Sequence, residues 1–323
     1  MLPAFAYVRP QSIPEAIKHL TDQGARVHAG GTDLLGCLRD GVFTSSKLVS
    51  LGNIQELRGI TETGDGLRIG ALTTITEVAT SPVVRKQYPV LAQAAMEVAS
   101  PQLRNQGTIG GNLCQKPRCW YYRGEFNCAR KGGPTCFAMT GQNEYHCILG
   151  GDGCYIVHPS DTAPALIALD AKVRIARSNG TRTISLEEFF VSPGKDPKRE
   201  TIVESGEIIT EILLPAPAKG MYSAYRKARA RRSWDFALAS VALALTLDGK
   251  QVTSARIVLG GAAPVPWRAR EAEQVITGKQ LDAATATKAA DAAMSKAQPM
   301  EHNGYKIMLF KGLIEEQLQA MAG

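Results

Sequence analysis

The chain has 323 residues, a formal net charge of +7, 44% hydrophobic residues and 21% charged ones. That length allows two or three substructures with cores of their own, and the composition is that of an ordinary globular protein. No apolar run approaches the roughly 20 residues of a membrane span, and the scattered lysines and arginines accompany no nucleic-acid motif; the excess charge points to a solvated surface and to anionic cofactors.

Residues 1–55 read as an α/β unit. Ser12-Ile-Pro-Glu15 has the form of a capping box with proline in the first turn, and Ile13, Ala16, Ile17 and Leu20 follow at helical spacing. The helix should end near Gly24, and Ala25–Ala29 should be a short strand. Gly30, Gly31, Thr32, Asp33 and Leu34 come next. Strand, double glycine and helix start together aim several amides at a phosphate, although a tight turn alone also calls for glycines. Neither a Gly-x-Gly-x-x-Gly fingerprint nor a Walker loop is present.

Residues 56–220 read as the larger half. Gly66–Thr74 is a strand running into a loop, and Thr74 with Glu77 can cap the next helix. An amphipathic helix is predicted over Tyr88–Ala99. After it lies Ser100–Asp161, with a second glycine turn, Gly107–Asn112, and six of the seven cysteines, at 114, 119, 128, 136, 147 and 154. A small helix over Ala163–Asp170 and alternating strands over Lys172–Ala176 and Glu207–Leu214 complete this half. Short strands with helices on one side predict an α+β arrangement rather than a parallel βαβ sheet. A boundary is expected at the linker Pro215–Gly220. Beyond it, three strands (Tyr222–Ala228, Phe236–Leu247, Val252–Leu259) precede three helices (Arg268–Thr277, Asp282–Ala297, Tyr305–Met321).

Three chemistries compete for the cysteines. Disulfides suit secreted chains, but no secretory signal precedes Leu2, so the cytoplasm is the expected location. Structural zinc usually takes Cys-x2-Cys pairs, and none occurs. An iron–sulfur cluster suits thiols spread singly along a Gly-, Arg- and Lys-rich loop.

The runs Gln102–Gln106, Thr108-Ile-Gly-Gly-Asn-Leu113, Arg118-Cys119 and Cys154-x-x-x-His-Pro-Ser-Asp161 resemble the FAD-binding medium subunit of molybdenum hydroxylases, the group of xanthine dehydrogenases, aldehyde oxidoreductases and carbon monoxide dehydrogenase. The cysteine loop, about 114–154, resembles the branch whose flavin subunit also holds a [4Fe-4S] cluster, as in 4-hydroxybenzoyl-CoA reductase. The resemblance implies a two-subdomain FAD-binding fold (1–55 and 56–218) and a C-terminal domain, 219–323, with a three-stranded sheet and a helical layer. It implies cluster ligands Cys119, Cys128, Cys136 and Cys154, leaving out Cys114 and Cys147. It implies FAD contacts from Ala29, Gly30, Gly31, Thr32, Asp33 and Leu34, and from Thr108, Gly110, Gly111 and Asn112. Ser160 and Asp161 are carried over as the acid pair at the flavin, although Asp161 could equally cap the following helix. Lys227 is carried over from Arg226–Arg232, where five of seven residues are basic and a solvated face is the simpler reading. Ile148 and Leu149 are candidates to close over the isoalloxazine, or to pack a core.

The five histidines (19, 28, 146, 158, 302) form no spaced ligand set, and no Gly-x-Ser-x-Gly elbow occurs. The resemblance therefore implies electron transfer. A molybdenum-cofactor large subunit would turn over an aldehyde, aromatic or N-heterocyclic substrate. A [2Fe-2S] small subunit would pass electrons to the FAD here, and NAD or another acceptor would exchange them. The complex would be cytoplasmic, or periplasmic where a partner carries the export signal. A free-standing FAD oxidoreductase and a zinc-stabilised interaction module are the competing functions.

Overall fold

The computed structural model describes residues 1–322. The first unit holds β1 (Ala6–Val8), α1 (Ile13–Leu20), β2 (Ala25–His28), α2 (Leu34–Arg39) and β3 (Lys47–Ser50), with strand order β1-β3-β2, all parallel. Parallel neighbours need a long crossover, which α1 and α2 supply. Ser12 caps α1 by accepting from the Glu15 amide at 3.4 Å, and Glu15 reaches back to the Gln11 amide at 2.8 Å. Ala16, Ile17 and Leu20 bury the apolar face of α1 against Val49, Leu51 and Leu57.

The second unit begins with β4 (Ile60–Thr63) and β5 (Gly66–Gly70). Next come α3 (Ile75–Thr80), α4 (Pro82–Gln87), α5 (Pro89–Met96), α6 (Pro101–Gln106), α7 (Ile109–Leu113), α8 (Trp120–Arg123) and α9 (Thr162–Ala168). Strands β6 (Lys172–Arg177), β7 (Gly180–Ser185) and β8 (Ile208–Pro215) finish an antiparallel sheet of order β4-β5-β8-β6-β7. Thr74 and Glu77 form the capping box expected at α3. The helix predicted over Tyr88–Ala99 is shorter: α5 stops at Met96, and Ala99 takes φ +45° to turn the chain into Ser100, whose extended backbone is what a following proline requires.

The third unit has β9 (Met221–Ala228), β10 (Ala239–Asp248), β11 (Gln251–Gly260) and β12 (Trp267–Arg268), then α10 (Arg270–Ile276), α11 (Ala283–Ala293) and α12 (Tyr305–Ala322). The three-stranded sheet expected here is four-stranded, order β12-β11-β10-β9, because a two-residue edge strand carries no readable alternation. The strand predicted from Phe236 begins at Ala239, leaving Phe236 in a loop. Alternation along β10 explains the packing. Ala242 and Ala244 join the core beneath α5 and α9, while Val241, Leu243 and Leu245 join the core beneath α10–α12. Both faces are buried, which is why the strand reads as a nearly continuous apolar run.

Candidate functional site

A cavity of about 980 Å³ opens where the three units meet, lined by both glycine turns, the start of the cysteine loop and residues 234–236. Ala29, Gly30, Gly31, Thr32, Asp33 and Leu34 all border it, as do Thr108, Gly110, Gly111, Asn112 and Asp161.

The two turns differ in what they can offer. The amides of residues 30–34 have no acceptor among the described residues; the first amide of this stretch to be used is that of Leu35, on Gly31 O at 3.1 Å. Gly31 takes φ +73°, and a Cβ on Gly30 would lie 1.9 Å from the Gln106 carbonyl oxygen, so glycine is required where the turns press together. Five consecutive unengaged N–H groups form an anion cradle. In the second turn most amides are already used. Ile109 donates to Thr73 O at 2.9 Å, Gly110 to Ala71 O at 3.0 Å, and Gly111 to the Thr108 hydroxyl at 3.2 Å. The Thr108 amide has no acceptor among the described residues, its hydroxyl caps α7, and Gly110 allows close packing on Ala71.

Asn112 is held by two hydroxyls, its side-chain oxygen accepting from Ser160 at 2.5 Å and Thr162 at 2.7 Å. Ser160 does not border the large cavity; it stands behind Asn112 and also accepts from the Ala163 amide at 3.0 Å. Asp161 makes no helix cap. Its carboxylate accepts from Tyr225 and Lys227, each at 2.8 Å. Burial drives the Asp161 carboxyl above its ordinary value, while the Lys227 ammonium and both hydrogen bonds oppose that drift. Lys227, with a fully buried side chain, also donates to Glu97 O at 3.1 Å and Asp235 O at 2.9 Å. It reaches the site through Asp161 and does not itself border the cavity.

Ile148 and Leu149 are 1% and 2% exposed and belong to the core of the third unit, not to the cavity wall. Their amides bind the Ala262 carbonyl, which pulls the pair onto the strand side of that core. Of the two roles expected for them, packing a core is the one this arrangement displays.

Sequence reasoning missed Lys116, Arg123, Glu200 and Trp234. The Asp33 carboxylate accepts from the Lys116 amide at 2.7 Å and from Arg123 at 2.8 Å, and pairs with Arg118 at 2.9 Å, tying the first turn to the cysteine loop. Trp234 and Phe236 lie at the cavity wall, with Arg118 4.9 Å above the Phe236 ring. The available signal was the run of basic residues on the cysteine loop, Lys116, Arg118 and Arg123, which need carboxylate partners where they are part-buried.

A second, small void is lined by Cys119, Cys128, Cys136 and Cys154 together with Arg130, His146 and Tyr122. Cys114 and Cys147 do not reach it. The segment 128–136 folds back on itself: Ala129 donates to Thr135 O at 2.8 Å and Gly133 to Cys128 O at 2.9 Å, which holds Cys128 and Cys136 side by side. The void measures about 10 Å³, room for a water-sized group. Among the described residues no three His, Cys, Asp or Glu side chains converge on a single ion. Four thiols around one void fit the donor set of an iron–sulfur cluster. Burial pushes the Cys119 thiol up to about 12, so its thiolate needs a cationic partner.

The large cavity on this fold is that of a flavin-binding oxidoreductase component. Residues 3–217 match the family described as the FAD binding domain in molybdopterin dehydrogenase, and residues 223–321 match the CO dehydrogenase flavoprotein C-terminal domain. The chain is 38% identical to the aldehyde oxidoreductase FAD-binding subunit PaoB of Escherichia coli (strain K12), over 95% of each chain. It is 31% identical to the carbon monoxide dehydrogenase medium chain of Hydrogenophaga pseudoflava, over 93% of this chain and 89% of the other. A solved carbon monoxide dehydrogenase from that organism, lacking the Mo-pyranopterin moiety, superposes with a TM-score of 0.78 at 30% identity, covering 98% of this chain and 96% of the other. The quinoline 2-oxidoreductase of Pseudomonas putida 86 gives 0.78 at 27% identity, covering 100% and 99%. The chain belongs to the FAD-binding subunits of the molybdenum hydroxylases.

Proposed function

We propose that this chain is the electron-transfer subunit of a heterotrimeric molybdenum hydroxylase, binding FAD in the large cavity and a [4Fe-4S] cluster on Cys119, Cys128, Cys136 and Cys154. One observation carries the cluster: of the six cysteines in this stretch, only those four line one void. FAD is supported by the five unengaged amides at 30–34 on a cavity of about 980 Å³. The domain division 1–218 and 219–323 is supported by the two family matches, which meet between residues 217 and 223.

The relatives named as medium chains and FAD-binding subunits support a large molybdenum-cofactor partner and a small [2Fe-2S] partner. The kinship to an aldehyde oxidoreductase subunit favours an aldehyde as the substrate, oxidised at the partner's molybdenum. NAD or another external acceptor takes the electrons in this reading. Cytoplasm is the location it names, or periplasm where a partner carries the export signal.

FAD, when bound, supplies the means to take up electrons singly or in pairs. The chain's own residues set its place. The amides of residues 30–34 hold the diphosphate, and Ser160 and Thr162 fix Asn112 in the wall. Lys227 and Tyr225 keep Asp161 an oriented carboxylate beside the bound group. Trp234 and Phe236 add aromatic surface at the wall. The four thiols, deprotonated, hold the cluster.

The test is a flavin, iron and zinc count with absorption spectra before and after dithionite, on the anaerobically purified complex. About one FAD and four irons per copy of this chain are expected, both bleached by reduction. Cys128→Ser should lose the iron and Cys147→Ser should keep it. One FAD without iron, persisting after reconstitution, removes the cluster; zinc without flavin overturns the whole reading.

A further inference from the structure

An ion chain, buried at its centre and at one end, joins the two sites. Arg130 lines the cysteine void, and its side chain is 2% exposed. It is fixed at every nitrogen: Nε to Glu200 Oε1 at 3.1 Å, Nη1 to Pro197 O at 2.7 Å, and Nη2 to Arg199 O at 3.1 Å and again to Glu200 Oε1. The other oxygen of the same carboxylate, Oε2, accepts from Lys116 Nζ, and Lys116 borders the large cavity. Burial opposes the charge on Glu200, but Lys116 and Arg130 together outweigh it and hold the carboxyl below its ordinary value. The bridge is therefore Lys⁺–Glu⁻–Arg⁺, one net positive charge between the two sites, buried at Glu200 and Arg130 and partly exposed at Lys116.

Glu200 lies on the segment between β7 and β8, anchored by the Val191 amide on Glu200 O at 3.0 Å. The cations come from the cysteine loop, so the bridge also staples that loop to the sheet unit. The arrangement is more than a staple, because two cations share one carboxylate where a single salt bridge would leave no excess charge. A fixed positive charge beside a cluster favours the state carrying one more electron.

We infer that Arg130, Glu200 and Lys116 form a charge bridge that sets the reduction potential of the cluster and ties it electrostatically to the flavin cavity. Arg130 is the positioning residue on the cluster side and Lys116 on the cavity side. The inference rests on the cluster reading above.

The experiment is a potentiometric titration of the purified complex, following the reduced cluster by electron paramagnetic resonance, with iron counted in the same samples. Arg130→Met removes the near cation and should make cluster reduction at least tenfold less favourable, about 59 mV for one electron. Glu200→Gln removes the carboxylate and should shift it at least tenfold the other way. Arg130→Lys should stay within threefold of the wild type. A purely structural bridge would lower iron content without shifts of opposite sign. Should Arg130→Met hold no iron, Glu200→Gln decides: an upward shift supports the bridge, and an unmoved or lowered potential overturns it. A wild-type complex without iron overturns the cluster reading and the bridge together. Four irons with neither potential moved overturns the bridge alone.

Discussion

Lys227→Met tests the buried pair that shapes the cavity wall. Methionine has nearly the length of lysine, so the change removes the charge and three donated hydrogen bonds with little change in volume. Asp161 would then keep only the Tyr225 hydroxyl, at 2.8 Å. Removing one member of a buried ion pair costs about 3–5 kcal/mol, because the remaining charge is left uncompensated. The carboxyl can escape by taking a proton. Burial already raises it, and loss of Lys227 removes the largest opposing influence, so it rises further in the variant. The sign follows: a carboxyl whose folded-state value lies above its unfolded value binds a proton in the folded state first. The variant is therefore penalised least near the unfolded value of 3.8, and loses stability as pH rises towards the raised folded value. Each pH unit in that window is worth about 1.4 kcal/mol. Urea titrations of the purified chain at pH 5, 6, 7 and 8, followed by tryptophan emission, measure this. The penalty is expected to grow from pH 5 upward, with Asp161→Asn restoring most of the loss when added to Lys227→Met. A pH-independent penalty below 1 kcal/mol, or a double variant no better than the single, refutes the reasoning.

Gly30→Ala would drive a Cβ to 1.9 Å from the Gln106 carbonyl, parting the two glycine turns. FAD affinity should fall at least tenfold, about 1.4 kcal/mol, with circular dichroism unchanged; equilibrium dialysis against FAD measures it. Gly133→Ala would place a Cβ 1.8 Å from the Asn127 carbonyl, inside the fold that sets Cys128 beside Cys136. Iron content should drop while FAD content holds, as read by metal and flavin analysis of the same preparation. Thr74→Ala should cost about 1 kcal/mol through loss of the capping box at α3, seen as a lowered urea midpoint at constant slope.

Much of the fold was legible because its signals are local. The Ser12 and Thr74 caps, the alternation in Lys172–Ala176 and the long apolar run at 236–247 each depend on residues a few positions apart, and each marked a real element. Elements whose only signal is pairing went unread. The edge strand Trp267–Arg268 is two residues long, and β7 (Gly180–Ser185) is largely polar, so neither shows a pattern until a neighbour supplies the ladder.

The site divides the same way. From residue type alone, Gly30 and Gly31 marked a turn able to face a phosphate, and the cysteines marked soft-metal chemistry; the ligand set itself came from the family resemblance. Which glycine turn keeps its amides free was decided elsewhere, by the Ala71 and Thr73 carbonyls that occupy the second turn. That Ile148 and Leu149 serve a core was likewise settled by the sheet they pack on.

The sequence by itself determined the chemical inventory: a flexible glycine pair after a strand, single thiols on a cationic loop, and an ordinary complement of lysines and acids. Only the tertiary structure decided the pairings, joining Lys227 to Asp161 across 66 positions, and Glu200 to Arg130 and Lys116 across 70 and 84. The physical reason is that a charge finds its partner through burial. Once the sheets and helices exclude water, each buried ion must meet a counter-charge, and which one it meets depends on how distant segments pack.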